Sequence, residues 1–386
     1  MSDPLISVVI PCLNEERTIG ACIKDAQGAI AGMHASGEVI VVDNGSRDHS
    51  AEIAARAGAH VVHHQIKGYG SALKRGFAEA RGRYIIMGDG DQTYDFGALP
   101  DLVHSLDNGA DLVMGSRLRG SIEHGAMPFL HRWVGTPFLT TVLNALYKTH
   151  ISDANCGLRA FSAAAIRTLN LKCNGMEFAS EMVVKAGQKR LVIQETPIRY
   201  RAGLADRVPN LHTFRDGWRH LRFMLMLAPR HVFLLPGLVM FVIGLVFSLL
   251  FLAKHLSLFH IPLGLSAAIF ANALMFMGIQ IALFGVYALV YGTSLGLTEE
   301  DWISRAIKRY FKLESGLLLG AALLTTAVVL GVLTIHMLLA IARPSAQVNI
   351  PVTELSAISI FLFLLGVQVI FSSFYLGLLD LSRTLE

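Results

Sequence analysis

The chain has 386 residues, 53% of them hydrophobic, with a formal net charge of +4 and a mean hydropathy of +0.50. The length exceeds one average domain, the charge is too weak to argue for nucleic acid, and the hydropathy is high for a soluble enzyme. Of the 33 Lys and Arg and 29 Asp and Glu residues only 14 lie beyond residue 230, so a polar globular part precedes a membrane part. Cys12, Cys22, Cys156 and Cys173 form no C-x-x-C pair and read as reduced thiols, not a disulfide framework or a zinc site. The N-terminus runs into a strand with no signal-peptide pattern, so the first domain is expected on the cytosolic side.

The first expected strand, Ile6–Ile10, leads into Pro11-Cys12-Leu13-Asn14-Glu15-Glu16. Pro11 is expected to stop it, and Asn14 to cap a helix over 16–31 with Glu16 in its first turn. Glu15, at the strand's end, can also accept hydrogen bonds from a nucleoside. The strand Val39–Val42 ends in Asp43-Asn44-Gly45-Ser46, where an acid can accept from a base or ribose hydroxyl and where a plain turn also fits. A helix over 48–57 and a strand His60–His63 follow. Lys67-Gly68-Tyr69-Gly70-Ser71-Ala72 opens a helix over 69–80; its small residues let backbone amides approach a ligand or simply pack a loop.

The strand Tyr84–Met87 runs into Gly88-Asp89-Gly90-Asp91. Two carboxylates one residue apart can share a hard cation such as Mg²⁺ or Mn²⁺ and leave positions for phosphate oxygens. Alone the pattern also fits an acidic turn; at the end of a buried strand, among its neighbouring motifs, it points to metal. After a helix over 97–107 and a strand Leu112–Met114 come Arg117 and Arg119. Arg132 opens a helix over 131–148, Glu177 one over 177–187, and a strand Leu191–Gln194 precedes Arg199, Arg201 and Arg207. Guanidinium groups suit phosphate, and several are needed if donor and acceptor are both anionic. Asp153 either caps a turn before Gly157 or serves as the base that a hydroxyl acceptor needs. The alternation of strands and helices predicts an α/β domain with a mainly parallel sheet and ligands beyond the carboxyl ends of its strands.

The ordered set P-x-L-N-E, V-V-D-N-G-S, K-G-Y-G-S-A, D-G-D-Q and G-S-R resembles inverting glycosyltransferase family 2, with its GT-A fold. With D-A-N-C-G-L-R (153–159) and the trailing apolar segments it is most similar to polyprenyl-phosphate glycosyltransferases, such as dolichyl-phosphate mannose and glucose synthases. The resemblance implies nucleotide contacts from Pro11, Leu13, Glu15, Val41 and Asp43, with Asn14, Asn44, Lys67 and Gly68 beside them. It implies metal and diphosphate contacts from Asp89, Gly90 and Asp91, and a phosphate role for Arg117. The chain departs from some members at Leu13, where they carry an aromatic, and at Thr93, where they place a third metal ligand; Gln92 stands next to the pair as a substitute. The Q-x-x-R-W motif of processive polymerases is absent.

From 211 to 225, Phe214, Trp218, Leu221 and Leu225 mark one helical face and Arg215, Arg219 and Arg222 an adjoining one, the pattern of a basic helix in the head-group layer. Pro229 should break it from the membrane part. The expected domains are therefore 1–208, catalytic and cytosolic; 209–230, interfacial; and 231–386, transmembrane and all-α. Four spans are expected near 231–253, 261–293, 315–342 and 355–380, the second tilted or broken near Gly285. An amphipathic segment, 299–312, carries the basic residues that the positive-inside rule places in the cytosol. The function expected is transfer of a hexose from a UDP- or GDP-sugar to a polyprenyl phosphate at the cytosolic face of the membrane, the plasma or inner membrane in a prokaryote. A lipid hydroxyl acceptor and a non-catalytic scaffold are the alternatives, and a homo-oligomer stays open.

Overall fold

A computed structural model describes residues 3–203, 213–252, 257–258, 261–262, 265–300, 302–310, 313–341 and 352–384. Arg207, the expected boundary at 208–209 and the start of the interfacial helix at 211–212 lie outside the described residues. The chain divides into two compact units, Met1–Leu225 and Met226–Glu386.

The first unit is built on seven strands: β1 (Ile6–Cys12), β2 (Gly37–Asp43), β3 (His60–His63), β4 (Tyr84–Met87), β5 (Leu112–Ile122), β6 (Arg159–Ser162) and β7 (Ile193–Tyr200). They lie in the order β3-β2-β1-β4-β6-β5-β7. β3, β2, β1 and β4 pair in parallel, as do β5 and β7, while β6 runs antiparallel to both its neighbours. The near-continuous apolar runs of β1 and β4 are buried, as strands covered on both faces must be.

Helices α1 (Ile19–Gly32), α2 (Ser50–Arg56), α3 (Tyr69–Glu79), α4 (Leu99–Asp107), α5 (Thr136–Tyr147), α6 (Ala163–Leu169), α7 (Phe178–Gln188) and α8 (Thr213–Met226) complete the unit. The expected strands His60–His63 and Tyr84–Met87 coincide with β3 and β4. Pro11 does not stop β1, which continues to Cys12 with Pro11 opposite Val42. Pairing with β4 has already ended at Val9–Met87, so the ladder loses no donor there. β6 and α6 escaped the sequence because four residues, Arg-Ala-Phe-Ser, hold no apolar run of readable length.

In the second unit a wide helical turn, Arg230–Leu234, leads into α9 (Leu235–Leu252). Then come α10 (Leu265–Ser294), α11 (Trp302–Tyr310), α12 (Leu313–Ile341) and α13 (Val352–Thr384). Four segments are long and apolar enough to cross a bilayer: Arg230–Leu250, Ala267–Ser294, Leu313–Ala340 and Glu354–Leu379. α10 runs unbroken through Gly285, so the break considered there does not occur. A Cβ on Gly278 would meet the backbone of Gly237 at 2.6 Å, so α9 and α10 pack backbone against backbone, as small residues permit in lipid.

Candidate active site

Asn14 and Glu15, Asp43 and Asn44, and Asp89 and Asp91 lie at or just after the carboxyl ends of β1, β2 and β4. Asn14 does not cap α1, which starts after Thr18. It adopts a left-handed φ of 57° and joins two loops: its N–H donates to Ser46 Oγ at 3.0 Å and its Oδ1 accepts from the Arg47 N–H at 2.9 Å. The Glu15 N–H donates to Ser50 Oγ at 2.7 Å, and Glu16 accepts from the His49 N–H at 3.2 Å. These bonds hold the loop after β1 against the loop after β2, with Leu13 exposed at its crest.

Asp43 closes β2. Its Oδ1 accepts from the Ser46 N–H at 3.0 Å, and its Oδ2 lies 3.1 Å from Nδ1 of His63. Burial opposes its charge, but the bonds from Ser46 and His63 outweigh that and hold its pKa below the ordinary aspartate value. Asn44 fastens the next loop: its amide donates to the carbonyls of His64 and Ile66, and its Oδ1 accepts from the Gly68 N–H at 2.8 Å. Gly68 has φ 133°, a conformation open to glycine alone, and exposed Lys67 rides beside it. Val41 differs from the expectation: its side chain is fully buried in the sheet, so it cannot meet a nucleotide.

Asp89 and Asp91 follow β4, both half-buried, with Gly90 buried between them. Tyr69 Oη donates to Asp89 Oδ1 at 3.0 Å. A Cβ on Gly157 would come 2.7 Å from Asp89 Oδ2, so glycine there lets the 153–158 loop back the carboxylate. Asp91 accepts from the Thr93 N–H and hydroxyl; Thr93 therefore orients the acid instead of adding a third charge, and Gln92 takes a left-handed φ of 63°. Among the described residues no three His, Cys, Asp or Glu side chains gather as a metal cluster. Two carboxylates suit a hard cation completed by diphosphate oxygens and water, the way Mg²⁺ is commonly held.

Arg117 and Asp153 are bound to each other. The Arg117 N–H, Nε and Nη2 donate to the Asp153 carboxylate at 3.1, 2.7 and 2.8 Å, and both side chains are buried. The guanidinium also lies 5.1 Å above the Tyr200 ring. Asp153 therefore caps no turn with its side chain, and its carboxylate is engaged where a base would need it free. Glu177 at the start of α7 is likewise engaged, by Arg219 at 2.7 Å.

The other arginines disperse. Arg119 lies 3.5 Å from Glu195, Arg199 binds Glu123, and Arg201 bridges Asp25 and Asp95. Arg132 is exposed and stacks over Trp133 at 5.2 Å. Arg215 and Arg222 are exposed on α8. The face that α8 buries is Asp216, His220 and Met224, spaced four apart, with His220 bonded to Ser180 at 2.8 Å. Trp218, expected on the apolar face, is 58% exposed.

Three side chains around the acidic pair were not singled out from the sequence: Tyr69, Tyr94 and Arg159. Tyr94 Oη accepts from the Gly157 N–H at 2.7 Å. Arg159, fully buried on β6, donates to the carbonyls of Cys156, Ala179 and Ala154 at 2.9, 2.6 and 3.0 Å, and so fixes the loop behind Asp89. Tyr69 was legible as the lone aromatic in a run of small residues. Arg159 was not, because its partners are carbonyls brought near only by folding.

The family profile Glycosyl transferase family 2 matches residues 7–169, and the profile Glycosyltransferase family 2 C-terminal transmembrane region matches residues 286–380. Low-salt glycan biosynthesis hexosyltransferase Agl6 of Haloferax volcanii is 40% identical over 378 residues, 97% of this chain and 89% of its own. A dolichyl-phosphate hexose transferase of the same organism is 29% identical over 196 residues, 51% of this chain and 82% of its own. A solved glucosyl-3-phosphoglycerate synthase from Mycobacterium tuberculosis, in complex with Mn²⁺, UDP and glucosyl-3-phosphoglycerate, is 25% identical, with 58% of this chain and 79% of that one covered and a TM-score of 0.45.

Proposed function

The chain belongs to glycosyltransferase family 2, and on that premise we propose that it transfers a hexose, with inversion, from a UDP- or GDP-sugar to a polyprenyl phosphate at the cytosolic face of its membrane. The observation that carries the acceptor is the engagement of the candidate base, Asp153, by Arg117. A hydroxyl acceptor needs a base to take its proton. A phosphate monoester is already an anion near neutral pH, and its oxygen attacks the anomeric carbon with no proton to remove. The sugar's bond to the nucleoside diphosphate breaks and the electron pair leaves with the diphosphate. The relative named for dolichyl phosphate and the four apolar segments in the same chain support a lipid acceptor.

Asp43 and Glu15, with the loops that Asn14 and Asn44 fasten, bind and orient the nucleoside. Pro11 and Leu13 supply apolar surface beside it, and Lys67, Gly68 and Gln92 line the approach to the diphosphate. Asp89 and Asp91 would hold Mg²⁺ or Mn²⁺, whose charge offsets the charge developing on the leaving diphosphate. Tyr69, Thr93 and the Arg159-fixed loop keep those two carboxylates oriented. Arg132, Arg215 and Arg222 draw the anionic acceptor toward the interface, while Arg117, Arg201 and Arg219 act from within ion pairs.

A radiolabelled nucleotide-sugar assay with extracted membrane lipids tests this reading. A labelled lipid cleaved by mild acid is the expected result. An acid-stable glycolipid would transfer the assignment to a lipid hydroxyl, and no labelled lipid with any UDP- or GDP-sugar would reduce the chain to a scaffold.

A further inference from the structure

Two buried charges in the first unit lie outside the acidic pair and touch neither of its carboxylates. Glu181 and Lys185 stand one turn apart on α7, 0% and 2% exposed, with Lys185 Nζ 3.0 Å from Glu181 Oε1. A buried ion pair offsets its desolvation only where further hydrogen bonds satisfy both charges. Here those bonds go to the backbone of one turn, residues 170–173 between α6 and α7. Glu181 Oε1 accepts from the Lys172 N–H and Oε2 from the Cys173 N–H, each at 2.8 Å. Lys185 Nζ donates to the Asn170 carbonyl at 2.6 Å, where Asn170 turns the chain at a left-handed φ of 45°.

That turn is pressed against the head of α3. The Ser71 N–H donates to the Asn174 carbonyl at 3.1 Å, and Lys74 Nζ donates to the Lys172 carbonyl and Asn174 Oδ1 at 2.9 and 2.7 Å. A Cβ on Gly68 would collide with the Asn174 carbonyl oxygen, and one on Gly70 would come 2.7 Å from that of Cys173. Glycine at these two positions therefore admits the backbone of the turn. The same stretch ties to the site: the Gly68 N–H donates to Asn44 and Tyr69 Oη to Asp89.

We propose that Glu181 and Lys185 are positioning residues for the diphosphate end of the donor site. The pair sets the 170–173 turn, the turn sets the head of α3, and the head of α3 places Tyr69 against Asp89. Two apolar side chains of similar volume could fill the space as stably. They would leave the N–H groups of Lys172 and Cys173 without acceptors, and the turn without a fixed shape. Hydrogen bonds one step removed from a metal orient the carboxylates that hold it. The nucleoside end is held by other bonds, to Asp43 from Ser46 and His63 and from the Glu15 N–H to Ser50. The proposal rests on the reading of Asp89 and Asp91 as holders of the cation and the donor diphosphate.

Calorimetric titration of the full-length protein in detergent tests it, with UDP and GDP in the presence of Mn²⁺ and with UMP and GMP in its absence. The variant E181L/K185M removes both charges together, so neither is left unpaired. It should weaken Mn²⁺-dependent binding of the diphosphate that the wild type prefers by roughly 10- to 100-fold, with the matching monophosphate unchanged. Unchanged diphosphate affinity would overturn the proposal. An equal loss for both nucleotides would also overturn it, reducing the pair to general support of the fold. A wild type whose UDP and GDP affinities ignore Mn²⁺ would instead overturn the metal reading, and this proposal with it. If the double variant melts well below the wild type, Lys74→Met decides, because it cuts the outer tie to the same turn and leaves the buried pair in place. Loss of those hydrogen bonds should weaken diphosphate binding roughly two- to fivefold with the monophosphate unchanged. No selective loss in that variant would overturn the proposal.

Discussion

The two units bury polarity in different currencies. In Met1–Leu225 the buried polar groups include full charges: Arg117 with Asp153, Lys185 with Glu181 at 3.0 Å, and Arg159 among backbone carbonyls. In Met226–Glu386 the described contacts between apolar helices are neutral. Gln280 donates to Gln368 at 2.7 Å, Tyr287 to Ser372 at 2.5 Å, and Ser359 to the Ala327 carbonyl at 2.8 Å. A charge in a soluble core can be offset by a bidentate partner and the polarity of the surrounding sheet ends. A charge amid hydrocarbon has fewer such offsets, so amides and hydroxyls do the joining there. The difference teaches that charge is retained in the first unit where loops at the strand ends must be held in one geometry.

The largest effect expected from breaking that geometry is at the metal pair. Asp91→Asn should lower turnover by roughly a thousandfold at an unchanged melting temperature, because the loss is of charge and not of packing. Near-normal turnover after exhaustive chelation of the wild type would remove the metal from the account.

Next in size is the buried ion pair. Asp153→Asn leaves the Arg117 charge without its counter-ion, at a cost of about 3–5 kcal/mol, or a fall in Tm of roughly 6–20 °C for a unit of this size. A melt that does not move would show that the pair does not hold the loop.

Asp43→Ala sharpens the contrast within the first unit. A nucleoside contact acts alike in ground and transition states, so the donor KM should rise roughly 10- to 100-fold with kcat little changed. A collapse of kcat at saturating donor would instead assign Asp43 to the chemistry.

The smallest effect belongs to the membrane unit. Gln280→Leu removes one interhelical hydrogen bond, worth less than about 1 kcal/mol in lipid, and detergent melts should shift only slightly. A fall as large as that of Asp153→Asn would erase the distinction between the units.

The sequence by itself determined the elements whose pattern is local. The apolar runs of β1, β2 and β4, the four long apolar segments and the Asp89–Asp91 pair at a strand end depend on neighbours in the chain, and periodicity and composition report neighbours. Tertiary structure alone decided what depends on distant partners. β6 is a strand because Met87 and Met114 flank Arg159, Asn14 is a loop clasp because Ser46 lies opposite it, and Asp153 is bound because Arg117 folds onto it. The same holds for α8, where Trp218 is exposed while His220 finds Ser180 inside. A hydrogen bond between residues tens of positions apart leaves no period in the chain, so only the folded geometry can say which polar side chains remain available for chemistry.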